Sequence, residues 1–541
     1  MHRNRLVSTA IGIALLGAMP FANAAQDEAR SLNELRNTVV NLLQGLVDRG
    51  VLTREQAAKM VADAQNKAQA DAAAQVAQEK AEEGAVRVPY VPQIVKEEIR
   101  RQVTADLSEK VTKNVVEAAE SEGWGVPAAL PDWVRRMRWY GDFRFRGQGD
   151  VFASDNTANS YLDFQRVNTA GGIGKAGLAA LANTTEDRNR MRMRLRLGFE
   201  TVLGYGWSMG ARLTSGALND PISTNQTLGS SGFRYPVGID MAYIDWSGTS
   251  HSARQTLDIS AGRIRNPWFT ASELVYDQDL MFDGAAVNYR FGLSRDDPSG
   301  HFVYATAGAF PLQEVELARD KYLLGAQLGI DYKFENGSRL RAGASYFDFR
   351  NVAGRRNSFE SNLLDYTAPQ YLRQGNTLFN IRNDNDSTTD LFALAADYRL
   401  ANLSLAYDWR IASSYRLSFA GDYVRNIGYD VARVLARTGT AVDKRNVGYL
   451  AEIGFGSAVT GQAHAWRAVV GYRRVERDAV LDAYTDSDFR LGGTDVKGYT
   501  VGFDFNLTPK VMTRLRYLSG NEIDGPPLGI DVVQLDLNAS F

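Results

Sequence analysis

From about residue 138 onward, apolar and polar positions alternate along the chain. Arg190, Arg192, Arg194 and Arg196 interleave with Met191, Met193, Leu195 and Leu197. Tyr499, Val501, Phe503, Phe505 and Leu507 interleave with Thr500, Gly502, Asp504 and Asn506, and the stretch 324–334 repeats the pattern. A period of two puts alternate side chains on opposite faces of a strand, one apolar and one wet. This reading predicts sixteen strands: 138–147, 189–200, 206–214, 237–246, 255–265, 282–292, 301–310, 322–334, 338–348, 391–409, 415–425, 447–455, 464–475, 498–507, 511–518 and 532–541. Within 391–409 the phase flips at Ala401-Asn402. A bulge there keeps one strand, whereas a turn gives an odd total and calls for an eighteenth. The bulge, and sixteen strands, is preferred, with eighteen left open.

The first quarter of the chain has a different period. Leu32, Leu35, Val39, Leu42 and Leu46 share one helix face, Gly50 ends that helix, and Thr53 with Gln56 forms a capping-box pair. An alanine-rich helix follows, and after Pro89 and Pro92 a third carries Val95, Ile99, Val103, Leu107, Val111 and Val115. Solvated amphipathic helices and an oligomerising coiled coil fit this pattern about equally. Ahead of it, His2, Arg3 and Arg5 precede an apolar run over 6–19 and the small-x-small site Ala22-Asn23-Ala24, the pattern of a secretory signal peptide cleaved after Ala24. The expected organisation is therefore a signal over 1–24, a periplasmic helical or coiled-coil segment over 25–130 and a transmembrane β-barrel over 135–541.

Alternation alone also fits a soluble sandwich. Export, an arginine-bearing polar face opposite an aromatic-rich apolar face, and connections that alternate short and long point instead to an outer-membrane barrel. Short connections include Asn336-Gly337 and Thr508-Pro509-Lys510; long ones include 148–188, 215–236, 350–389, 426–446, 476–497 and 519–531. Trp139, Trp207, Trp246, Trp409 and Trp466 fall near strand ends, as interfacial girdles require. Phe541 follows Val533, Leu535, Leu537 and Ala539 at every second position, which reads as an assembly signal for the barrel-insertion machinery.

Short segments in order along the chain carry a resemblance. They are Leu46-Val47-Asp48-Arg49-Gly50-Val51-Leu52-Thr53, Val86-Arg87-Val88-Pro89-Tyr90-Val91-Pro92, Asp132-Trp133, Gly141-Asp142-Phe143-Arg144-Phe145-Arg146, Arg188-Asn189-Arg190-Met191-Arg192-Met193-Arg194, Gly262-Arg263-Ile264-Arg265-Asn266-Pro267-Trp268 and Gly421-Asp422-Tyr423-Val424-Arg425-Asn426. Together the sequence resembles the bacterial "putative porin" outer-membrane family. The resemblance implies a periplasmic helical segment followed by a barrel taken to be a pore, and names no solute.

Composition narrows the chemistry. The absence of cysteine removes disulfide, thiol and Cys-ligated metal chemistry. A mean hydropathy of −0.29 does not suit a helical membrane protein, and a net charge of −2 gives no reason to expect nucleic acid. His251, His301 and His464 fall at short turns, which speaks against a His-based hydrolase working from the outer face. The G-x-G-x-x-G at 172–177 lacks its strand and helix, and Asp384, Asp386 and Asp390 lack the glycine and glutamate of a calcium loop. A solvated acidic loop is preferred there over a divalent-ion bridge to lipid phosphates. No catalytic residue, metal site or cofactor is expected.

Residues 135–541 are near neutral, with 46 basic and 45 acidic side chains, but the arginines collect on strand polar faces. The pore-lining candidates are Arg144, Arg146, Arg190, Arg192, Arg194, Arg196, Arg339, Arg341, Arg514 and Arg516. Open, they would favour anions; paired with carboxylates across strands, they would form a structural ladder. A passive diffusion channel is the leading expectation, and a structural or adhesion barrel the alternative. Expected partners are outer-membrane lipid and lipopolysaccharide, the assembly machinery, and two further copies in a homotrimer.

Overall fold

In the computed structural model the described residues are 136–250, 254–294, 300–386 and 388–541, together with Ala62, which lies in a helix. The chain divides into two compact units, Met1–Glu122 and Gly123–Phe541. The signal segment and nearly all of the helical region expected over 25–130 lie outside the described residues.

The alternating segments form β1 (Arg138–Phe152), β2 (Arg188–Gly204), β3 (Trp207–Ser215), β4 (Val237–Thr249), β5 (Gln255–Arg265), β6 (Met281–Gly292), β7 (His301–Gln313), β8 (Lys321–Lys333), β9 (Arg339–Arg350), β10 (Tyr398–Arg410), β11 (Tyr415–Asn426), β12 (Val447–Ser457), β13 (Trp466–Val475), β14 (Val496–Asn506), β15 (Val511–Glu522) and β16 (Gly529–Ser540). Each pairs antiparallel with its chain neighbours, and β16 returns to β1 with Asp142 opposite Ser540 and Phe152 opposite Ile530. The sheet closes, so none of the sixteen strands is left as an unpaired edge. Among the described residues no helix is long and apolar enough to cross a membrane.

The pleat separates two environments. On β1, Phe143, Phe145 and Val151 point outward and are exposed, while Arg144, Arg146, Gln148 and Asp150 point inward and are buried. Trp139, Trp207, Trp246, Trp409 and Trp466 all lie at the short-turn end, with Trp207 directly opposite Trp246. Toward the long-loop end Tyr423, Tyr449, Tyr472 and Tyr499 continue across four adjacent strands. Between them runs the apolar belt a lipid-facing barrel wall needs.

Two expectations need correction. The segment 391–409 is not one bulged strand. Phe392–Leu394 pairs with Leu378–Asn380 inside a long connection, and β10 begins at Tyr398. Pairing runs unbroken through Ala401 and Asn402. The phase flips because Tyr398 and Leu400 are apolar yet point inward, where they are fully buried in an interior core. That core is the second correction. The barrel is not a plain aqueous tube: apolar residues of the connections 266–280, 351–397 and 476–495 pack inside it against the wall.

Candidate functional site

The connection 266–280 leaves β5 at the Asn266-Pro267-Trp268 motif. The Asn266 side chain accepts the Trp268 amide (3.0 Å), and the Trp268 ring packs on Tyr276, Phe282, Phe310 and Phe347 with centroids 4.8–5.8 Å apart. Gly325 makes room: a Cβ there would stand 2.3 Å from the Trp268 ring. Gln327 donates to the Phe269 carbonyl and accepts its amide, both at 2.8 Å, and the Ser272 hydroxyl donates to Asp422. Backbone groups thus buried away from water all need partners, and these anchors supply several of them.

The connection 476–495 comes in alongside. The Asp277 amide donates to the Tyr484 carbonyl (2.8 Å), the Thr485 hydroxyl to the Leu274 carbonyl (2.9 Å), and the Ser487 amide to the Asp277 carboxylate (2.9 Å). Glu273, Asp277 and Asp486 are thereby crowded together at the seam. Burial, with Asp486 beside it, pushes Glu273 up to about 7, and burial with Glu273 nearby raises Asp277 well above the carboxylate range.

These two connections carry carboxylates to the arginine wall. Arg146 is fully buried. It donates from Nε and Nη2 to Asp536 (2.7 and 2.9 Å) and from Nη1 to both oxygens of Asp488 (2.9 and 3.0 Å). Arg516 donates to the same Asp488. Burial opposes ionisation of Asp488, but Arg146, Arg516, Arg144 and Arg192 outweigh it and hold the carboxyl well below its usual range. Asp279 likewise meets Arg194 and Arg196 at 3.3 Å and accepts from Thr224. Burial raises it, the guanidiniums of Arg194, Arg196 and Arg144 more than compensate, and the carboxyl is lowered. Asp142 on the wall bridges Arg194 and Arg196, and Arg190 pairs with Asp150.

The ten candidate arginines are therefore not equivalent. Arg146, Arg190, Arg194, Arg196, Arg339, Arg514 and Arg516 each meet an aspartate, Asp331 in the case of Arg339 and Asp504 in that of Arg514. Arg144 donates to the Asn225 amide oxygen, Arg192 reaches only Gln148 (3.3 Å) and Ser223 (3.4 Å), and Arg341 stacks over Phe269 (5.0 Å). Among the described residues no carboxylate lies within 4 Å of these three. In the layer around Arg146 six guanidiniums (Arg144, Arg146, Arg192, Arg194, Arg196 and Arg516) face four carboxylates (Asp142, Asp279, Asp488 and Asp536).

Two cavities approach this layer from opposite ends. One of about 1220 Å³ opens among the short turns (Thr460, Thr508 and Lys510) and reaches Arg144, Arg194 and Arg196. The other, about 900 Å³, opens among the long connections and reaches Gln148, Arg190 and Arg192. Along β1, Arg144 lines the first and Gln148 the second, with Arg146 between them.

Asp486 and Asp488 belong to the long connection predicted over 476–497, and neither their return to the arginines nor Asp279 and the inward turn of 266–280 is visible in the strand period. The usable signal was Asn266-Pro267-Trp268, a large aromatic just past a strand end with no lipid-facing register to occupy. Of the histidines, His301 begins β7 with its ring against Tyr332, His464 lies just ahead of β13, and His251 is outside the described residues. Asp384 and Asp386 accept hydrogen bonds from Thr389 and Thr388 in their own turn, and Asp390 accepts from Asn380.

Among solved structures the chain is similar to the outer-membrane channel DcaP of Acinetobacter baumannii (11% identity, TM-score 0.38, covering 75% of this chain and 97% of that one). It is also similar to OprB of Pseudomonas putida (12%, 0.41, 76% and 96%) and to Salmonella typhi OmpF in complex with daunomycin (10%, 0.38, 75% and 97%). No curated protein matches the chain significantly. The family described as "Putative porin" matches residues 36–541, and the chain belongs to that family.

Proposed function

We propose that this protein is a passive diffusion channel of the outer membrane for small hydrophilic solutes, leaning toward anions. The observation that carries the reading is the arginine layer between two polar cavities, where Arg144 lines the short-turn cavity and Arg192 the long-connection cavity, each without a carboxylate. Fixed positive charge at a constriction lowers the barrier for anions and raises it for cations. Paired arginines contribute shape and rigidity there; the two unpaired ones contribute the potential. No step breaks or forms a covalent bond, and no cofactor is called for.

In this reading the short turns face the periplasm and the long connections face outward. The helical segment over 25–130 belongs to the periplasm, and three copies assemble side by side, with the apolar helix seam adding intersubunit contacts. Mass measurement in mild detergent, with and without that segment, tests the assembly. The channel itself is tested in planar bilayers. Single-channel steps and a reversal potential displaced toward the anion side under a potassium chloride gradient are expected. A folded, inserted protein that conducts nothing would overturn the reading.

A further inference from the structure

The outward face of the barrel carries a feature that conduction does not use. On β11, β12, β13 and β14 the tyrosine row Tyr423, Tyr449, Tyr472 and Tyr499 is continuous, with ring centroids 6.2 Å apart for Tyr449–Tyr472 and 5.0 Å for Tyr472–Tyr499. Tyrosines in such a row mark the level where acyl chains give way to headgroups. Two residues further toward the long-loop end, on the same outward face, stand Arg425, Arg474 and Lys497. Arg399 on β10 joins them, diagonal to Arg425 through the Ala401–Arg425 pair.

Two things set this arc apart. Arg474 and Lys497 are directly opposite each other in the β13–β14 register. Like charges in that position repel across strands about 5 Å apart, so the bare pair is unfavourable. In addition, the cations are poorly compensated. Among the described residues no carboxylate lies within 4 Å of Arg425, Arg399 or Lys497, and Arg474 reaches Glu476 only at 3.6 Å. Asp348, opposite Arg399, is taken by Arg350 at 2.8 Å. Elsewhere on the rim polar groups close on one another: Arg263 with Asp283 (3.0 Å), Tyr517 with Asp531 (2.7 Å) and Tyr322 with Asp320 (2.8 Å).

We propose that this arc binds the phosphorylated headgroup of an outer-leaflet glycolipid. A phosphate between Arg474 and Lys497 turns a repulsive pair into a bridged one, and Arg425 and Arg399 extend the site along the rim. The acyl chains then lie down the apolar wall over Ile453, Val470 and Val501, which are outward and exposed. The assignment of this end to the outer leaflet rests on the outer-membrane reading above and not on conduction.

The test uses the full chain in mild detergent and fluorescent lipid A as the probe. Removing both charges with R474Q/K497Q should weaken binding on the order of tenfold, R425Q should weaken it less, and R263Q on the opposite arc should leave it unchanged. Lipid A stripped of its phosphates should bind as weakly to the wild type as intact lipid A does to the double variant. Equal affinity of wild type and double variant, equal affinity for the stripped lipid, or displacement by millimolar inorganic phosphate would each overturn the proposal. Heat-modifiable migration checks folding, and if the double variant fails that check, R425Q and the stripped lipid decide. Bilayer recordings on the same samples separate the two readings: conduction without lipid binding sinks this site alone, and lipid binding without conduction sinks the channel.

Discussion

Arg192 and Arg194 are two positions apart on one strand face, yet their surroundings assign them different work. Arg194 is nine-tenths buried between Asp142 and Asp279, while Arg192 touches only neutral oxygens. Replacing Arg192 with Gln removes one lumen charge and strands no carboxylate. The expected outcome is normal folding with an anion-to-cation permeability ratio lowered by a factor on the order of two. Replacing Arg194 with Gln leaves Asp142 and Asp279 sharing Arg196, a loss of buried pairing that costs about 3 kcal/mol or more and should show first as a lower unfolding temperature. Reversal potentials and thermal unfolding of the two variants side by side check the distinction. The facing of both arginines was legible from alternation. Their partners were not, because Asp279 lies 85 residues from Arg194, and Asp488 lies 342 from Arg146. Strand periodicity says nothing about where a connection goes.

Strand positions followed closely from the period of two because a wall with lipid on one side and water on the other enforces that period. The period breaks where the inner side is not water. At Tyr398 and Leu400 the interior is packed with residues of the inserted connections, so apolar side chains appear on the supposedly polar face. The same insertion makes Trp268 the anchor of 266–280. Trp268→Ala empties a site ringed by four aromatic rings and should cost roughly 3–5 kcal/mol; the freed connection should raise single-channel conductance and its flicker. The seam between the inserted connections is also sensitive to pH. Glu273 is pushed up to about 7 by burial and by Asp486, so the folded state holds its proton more tightly than the unfolded chain does. The favourable neutral form is fully present below the unfolded value near 4.5, and its advantage is lost as pH rises toward 7. Amide exchange at Asp486 and Ser487 should therefore quicken from pH 5 to pH 8, beyond the intrinsic change in exchange rate. Glu273→Gln should flatten that dependence, and an unaltered dependence in that variant would count against Glu273 as the sensor.

At the scale of the whole molecule, closure of the barrel depends on the β16–β1 seam, and Phe541 sits on it. Its amide donates to the Gly141 carbonyl (3.1 Å) and its carbonyl accepts the Gly141 amide (3.3 Å). Its ring lies over Gly141, where a Cβ would stand 2.4 Å from the ring edge. The side chain faces outward and is 59% exposed, so it contributes little buried area to the seam. An assembly signal and a seam clamp therefore predict different mutants. Phe541→Asp puts a charge on the outward face near the short-turn rim, where such changes cost only about 0–1 kcal/mol once the barrel is formed. Gly141→Val keeps the aromatic but forces the ring off its glycine and crowds the seam. If Phe541 is read by the insertion machinery, F541D should lose most of its heat-modifiable barrel in cells while still folding in detergent, and G141V should assemble normally with a modestly lower unfolding temperature. The reverse pattern, with G141V failing in cells and F541D assembling, would make the residue a clamp and not a signal. The small equilibrium cost expected for the aspartate is what gives the comparison its force: a large cellular defect on a barrel that remains stable has to arise during assembly.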